Sequence, residues 1–195
     1  HDAALKEIGT AVRLDPEARA GTLTEESVRS KALRREQHFH VYLPARFNRA
    51  LRYPLLVVIH GGPTGVSRPV PYTNNAGTYP IDAFLARGAL VLEPNYRGSA
   101  GYGARFRALN VRNLGIGDAW DVLSGIDHLV GQGMVDRDRV GSMGWSQGGY
   151  ISAFLTTKHA DRFKAISVGA GISDWMTYYV NTDIHPFTRQ YLNAT

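Results

Sequence analysis

Leu55-Leu56-Val57-Val58-Ile59 runs apolar through five consecutive positions with no polar residue between them. Side chains on a strand alternate between its two faces, so an unbroken apolar run marks a strand covered on both sides. Such a strand needs helices above and below it. Ala89-Leu90-Val91-Leu92 is a second run of this kind, and Arg139 to Trp145 and Phe163 to Gly169 read as further strands. The segments between them have helical signals. Pro80 to Arg87 has its proline early and Gly88 just past its end. After it, Asp118 stands where a cap would open a helix, and Ala119, Val122, Leu123, Ile126, Leu129 and Val130 recur at spacings of three and four until Gly131 and Gly133. Gln147 to Lys158 reads as the next helix. Strands alternating with helices predict an α/β fold with a mostly parallel sheet, helices on both faces and ligand-facing loops at the carboxyl ends of the strands.

Upstream, Phe39, Val41 and Leu43 alternate with His38, His40 and Tyr42, the two-residue period of a strand with one buried face. Residues 1–35, rich in Ala, Arg and Glu and broken by Pro16, read as a leader or linker, and residues 36–195 as one domain. The 195 residues contain no cysteine, which excludes disulfide scaffolds, thiolate metal sites and cysteine nucleophiles. The formal charge of +5 raises the question of nucleic acid, but acids such as Glu25, Glu26 and Glu36 lie among the arginines. A solvated surface of mixed charge is the expectation, with no nucleic-acid partner. No apolar run reaches the roughly 20 residues of a membrane span and no secretory leader opens the chain, which favours a cytoplasmic protein without membrane contact. The residues carry no signal of oligomeric state.

Gly144-Trp145-Ser146-Gln147-Gly148-Gly149 contains G-x-S-x-G between a predicted strand and a predicted helix. A tight turn of this kind holds its apical serine in a strained conformation above the sheet edge, and its flanks approach so closely that only small neighbours fit. Ser146 is therefore the candidate nucleophile, at a helix amino terminus that favours a developing oxyanion. Gln147 offers a backbone N–H to that oxyanion. A second donor is needed from a neighbouring loop, and His60-Gly61-Gly62-Pro63 supplies a candidate in Gly62. Other constellations fail. His38-x-His40 lacks a third metal ligand and is expected on the surface, and the glycines from 98 to 103 have neither dinucleotide nor phosphate-loop spacing. No metal and no cofactor is indicated.

Four segments, His60-Gly61-Gly62-Pro63, Asn95 to Gly103, Gly117-Asp118 and Gly144 to Tyr150, together resemble the prolyl oligopeptidase family of serine peptidases, above all its acylaminoacyl-peptidase and dipeptidyl-peptidase-like branch. The resemblance runs from about residue 36 to Trp175. It implies an α/β-hydrolase fold in which Ser146 attacks a peptide or ester carbonyl while the Gln147 and Gly62 N–H groups hold the oxyanion. Some relatives have a tyrosine where His60 stands, so His60, with Tyr96 and Trp145, is a candidate for orienting the oxyanion loop or the substrate.

A serine hydroxyl needs a histidine base and an orienting acid, which follow the nucleophile in α/β-hydrolases. His159 lies at the far end of the nucleophile's own helix, about 20 Å away at 1.5 Å per residue. Asp174 and His185 preserve the order. In the resembled family both partners come later, on loops after two further strands, so the expectation is a domain truncated at its C-terminus, with no β-propeller repeats in this chain. Three functions stay open on these residues: a serine peptidase acting on oligopeptide, acyl-aminoacyl or dipeptidyl substrates, a carboxylic ester hydrolase, and a catalytically incomplete fragment of a longer enzyme.

Overall fold

The computed structural model describes residues 22–30, 35–68 and 79–192. Six strands form one sheet: β1 (Thr22–Ser30), β2 (Arg35–Leu43), β3 (Tyr53–Ile59), β4 (Leu90–Pro94), β5 (Val135–Trp145) and β6 (Ala165–Gly169), in the order β1-β2-β4-β3-β5-β6. β1 and β2 run antiparallel to their neighbours, whereas β4, β3, β5 and β6 are mutually parallel. The parallel half thus directs the carboxyl ends of four strands to one side. There the nucleophile turn and the loops after β3 and β4 meet.

The unbroken apolar strand behaves as its composition requires. Leu55, Val57 and Ile59 of β3 join Leu90 and Leu92 of β4 in a core closed by helices α3 (Gly117–Gly131) and α4 (Gln147–Lys158), through Val122, Ile126, Leu129, Ile151 and Leu155. Leu56 and Val58 point the other way, with Val91, onto Ile81 and Leu85 of helix α1 (Ile81–Ala86). Burying each of these side chains contributes about 1.5–3 kcal/mol, so Ile59→Ala should cost about 2–5 kcal/mol with its cavity. A four-residue helix α2 (Ala104–Arg107) follows the glycine loop, and α5 (Trp175–Asn181) and α6 (His185–Leu192) follow β6.

Three sequence expectations change here. Thr22–Ser30, within the segment read as leader or linker, pairs along nine positions with β2, so the sheet begins before residue 36; residues 1–21 lie outside the described residues. β2 consequently has neighbours on both edges. Independently of that pairing, both of its faces are covered rather than one. Phe39, Val41 and Leu43 face the α3–α4 core, and Tyr42 the α1 side. His40, expected on the surface, is 6% exposed, and burial lowers its pKa.

Candidate active site

Ser146 sits at the apex between β5 and α4 with φ 58° and ψ −120°, a conformation an L-residue holds only when its surroundings enforce it. The enforcement is visible on both sides of the turn. Its N–H donates to the Gly169 carbonyl at 2.9 Å, and its carbonyl accepts the Tyr150 N–H at 3.0 Å. A Cβ at Gly144 would run into the Gly148 carbonyl, and one at Gly148 into the Ile59 carbonyl. These contacts are why the sequence has glycine two residues before and two after the serine. Ser146 remains partly exposed.

The loop after β3 lies directly against the turn: a Cβ on Gly61 would stand 2.8 Å from the Trp145 carbonyl oxygen and 3.2 Å from Ser146 Cβ. Gly62 follows with φ 132°, a backbone that favours glycine. Gln147 opens α4, so its N–H is among the first four of the helix, which have no acceptor within it. The two candidate oxyanion donors thus come from adjoining backbone segments.

His60 and Tyr96 brace that loop. The Tyr96 hydroxyl donates to the His60 carbonyl at 2.8 Å, and the two rings stack with centroids 4.4 Å apart and 19° between planes. His60 Nδ1 lies 2.8 Å from the Gly61 carbonyl and Nε2 2.9 Å from Ser99 Oγ, while Ser99 Oγ donates to the Tyr96 carbonyl at 2.6 Å. A neutral imidazole and one hydroxyl have two protons for these three contacts, so only an imidazolium satisfies them all. Burial opposes that form and pushes the His60 pKa down to about 4. Tyr96 is fully buried, which makes it a support of the loop and removes it as a substrate contact. Trp145 by contrast is 54% exposed beside Ser146.

On the other flank stands Asp118, whose expected capping role is replaced. Ile116 is the cap residue of α3, and Asp118 lies inside the first turn with no exposed surface. Its Oδ1 accepts the Ala119 N–H at 2.8 Å and its Oδ2 the Gln147 side-chain amide at 3.1 Å. Burial is the main cause that raises its pKa to about 6, against the donors that lower it. One turn on, Asp121 receives Arg97 through Nε at 2.8 Å, Nη2 at 2.7 Å and the Arg97 backbone N–H at 2.8 Å, fixing the loop after β4 to α3. Sequence reasoning read Asp118 as a cap and did not single out Asp121. The available signal was that Asp118 and Asp121 share the helix face of Val122 and Ile126, where an acid needs a buried partner.

Asp174 and His185 are not joined by a hydrogen bond or ion pair. Asp174 is exposed and caps α5, accepting the Thr177 N–H at 2.6 Å, and hydrogen bonding from the Thr177 side chain, then from its N–H, holds its carboxyl below the usual range. His185 packs edge-on against Tyr179 at 5.2 Å. Among the described residues, no side chain hydrogen-bonds to Ser146 Oγ. Above α4, Tyr150 meets Trp175 at 5.1 Å, and Trp175 continues to Tyr178 at 5.8 Å and Phe187 at 6.3 Å, an aromatic wall one helical turn from Ser146.

Comparison with known proteins decides the family. The profile described as the prolyl oligopeptidase family matches residues 79–195, more than half of the chain. This chain belongs to the prolyl oligopeptidase family. Prolyl endopeptidase FAP of Mus musculus is 30% identical over 140 residues, covering 72% of this chain and 18% of that protein. Acylaminoacyl peptidase of Pyrococcus horikoshii superposes with a TM-score of 0.75 at 28% identity, over 89% of this chain and 27% of that one. A puromycin-hydrolyzing peptidase of Mycobacterium tuberculosis gives 0.77 at 28% identity, over 90% and 27%. The α/β-hydrolase fold expected of a prolyl oligopeptidase relative is therefore present, and the chain spans about a fifth to a quarter of these relatives. No helix among the described residues is long and apolar enough to cross a membrane.

Proposed function

We propose that this chain carries the nucleophile and oxyanion site of a serine peptidase. Ser146 Oγ attacks the carbonyl carbon of a peptide bond, and its proton passes to a base. The carbonyl oxygen takes the negative charge and is held by the Gln147 and Gly62 N–H groups. Collapse of the tetrahedral intermediate breaks the C–N bond, the leaving amine takes the proton, and water later releases the acyl group from Ser146. The observation that carries this reading is the enforced φ of 58° at Ser146 beside the Gly61–Gly62 loop. The base and its acid are supplied, in this reading, from outside the described residues, since no imidazole there touches Ser146. Trp145 and the Tyr150–Trp175 wall are placed to meet the apolar part of a peptide.

In the intact protein a fluorophosphonate probe should label Ser146, and Ser146→Ala should remove both the label and peptide turnover. Retention of either would refute the proposal. A matched ester and amide separate peptidase from esterase, because expelling an amine demands a well-placed acid.

A further inference from the structure

Gln147 has two parts with different surroundings. Its backbone N–H is one of the helix-opening amides without an acceptor inside the helix, while its side chain, in a residue 1% exposed, donates to Asp118 at 3.1 Å. The other end of that amide, Oε1, is buried without a partner. Asp118 is therefore the polar anchor of the Gln147 side chain among the described residues. The anchor itself is immobile, because the Ala119 N–H and the Gly115 backbone also donate to it at the start of a 15-residue helix. Asp121, on the same helix, is held in turn by Arg97, and fully buried Tyr96 and half-buried Tyr150 are the other titratable groups close by.

We infer that Asp118 is a positioning residue for the oxyanion site: through the Gln147 side chain it sets the direction of the Gln147 N–H. The inference rests on the reading of Ser146 as nucleophile and adds a residue that touches neither substrate nor Ser146. An ionised carboxylate only accepts, so it selects the amide orientation that presents Nε2 and leaves Oε1 unpaired. Rotation of the Ser146–Gln147 peptide would have to drag a buried side chain off its anchor. A donor meant for charge that appears only in the transition state gains from being held this way.

The test is a double-mutant cycle in the intact protein, read as kcat and KM on a peptide substrate. Gln147→Met keeps the length and the backbone N–H but removes the amide. It should lower kcat tenfold to a hundredfold with KM within about twofold. Asp118→Ala should do the same, the double variant should be no slower than either single one, and Asp118→Asn, which keeps an oxygen acceptor, should retain kcat within about threefold. Should Asp118→Ala fail to fold, Asp118→Val, which removes the acceptor while leaving less of a cavity, replaces it, and Gln147→Met decides regardless. Full kcat in Gln147→Met, or losses that multiply in the double variant, would overturn the inference. Wild-type protein that turns over but resists the fluorophosphonate would instead overturn the nucleophile reading, so the two failures are distinct.

Discussion

The two flanks of Ser146 are built on different principles. On the loop flank, support is spread over the Tyr96 hydroxyl, the His60–Tyr96 stack, both His60 nitrogens and Ser99, with Ala100 N–H adding a bond to the Gly65 carbonyl at 3.0 Å. On the helix flank, one hydrogen bond joins Asp118 to Gln147, and Arg97–Asp121 secures the helix behind it. A distributed support loses little when one member is removed. A single tether loses its function at once, even where stability barely changes.

Replacing Ser146 by alanine in the intact protein should have the largest effect, because it removes the proposed nucleophile that both flanks adjoin. Turnover should fall about 10⁴-fold or more, with the fold intact, as judged by circular dichroism. In that background, flank variants should differ only in stability, which separates their structural from their catalytic parts.

Next in size is Asp121→Ala. Arg97 and Asp121 are 7% and 3% exposed, and removing one partner leaves a buried charge uncompensated, at about 3–5 kcal/mol. Denaturant unfolding should show the loss. If α3 is the platform for the helix flank, the surviving folded protein should also lose kcat, as Gln147→Met does.

The flanks should also differ in their response to acid. Asp118 has a folded pKa of about 6, above its value in an unfolded chain, so native protein binds a proton that unfolded protein has released between about pH 4 and 6. Its contribution to stability therefore falls as pH rises, by about 3 kcal/mol in all. His60 does the reverse: with a folded pKa of about 4, native protein refuses a proton that unfolded protein binds up to about pH 6.5, and stability rises with pH by a similar amount. Measured against wild type over pH 4–6.5, Asp118→Asn should gain stability as pH rises and His60→Gln should lose it. Parallel curves would mean that the two groups do not titrate as their surroundings require.

The central strands and the turn were legible in sequence because each rests on local composition: an unbroken apolar run needs cover on both sides, and Gly144 and Gly148 mark a turn whose flanks collide. What stayed hidden depends on partners distant in sequence. β1 contains only Leu23 and Val28 as large apolar residues, and it is a strand because β2 offers it a nine-position ladder. Asp118 at a helix start reads as a cap, since the local pattern is the same whether the carboxylate faces water or Gln147. His40 alternates as a surface residue would, but it shares the face of Tyr42, which is packed with Ile81 and Leu85 of α1. Asp174 and His185 kept the chain order of an acid and a base, but order alone brings no side chains together.

The smallest effect sharpens the comparison most. Tyr96→Phe removes one hydroxyl and leaves the ring on His60, the Ser99 bond to the Tyr96 carbonyl and both His60 nitrogen contacts. A lost hydrogen bond to a carbonyl of this kind costs about 1 kcal/mol, or about 2–4 °C in Tm for a domain of this size. Because the remaining contacts still hold Gly61, kcat should fall less than about threefold. Gln147→Met should show the opposite pattern, a small change in Tm with a large loss of kcat. Equal kcat losses in the two variants would mean that Gly62 depends on the Tyr96 hydroxyl as strictly as Gln147 depends on Asp118, and the loop flank would then be a single tether as well.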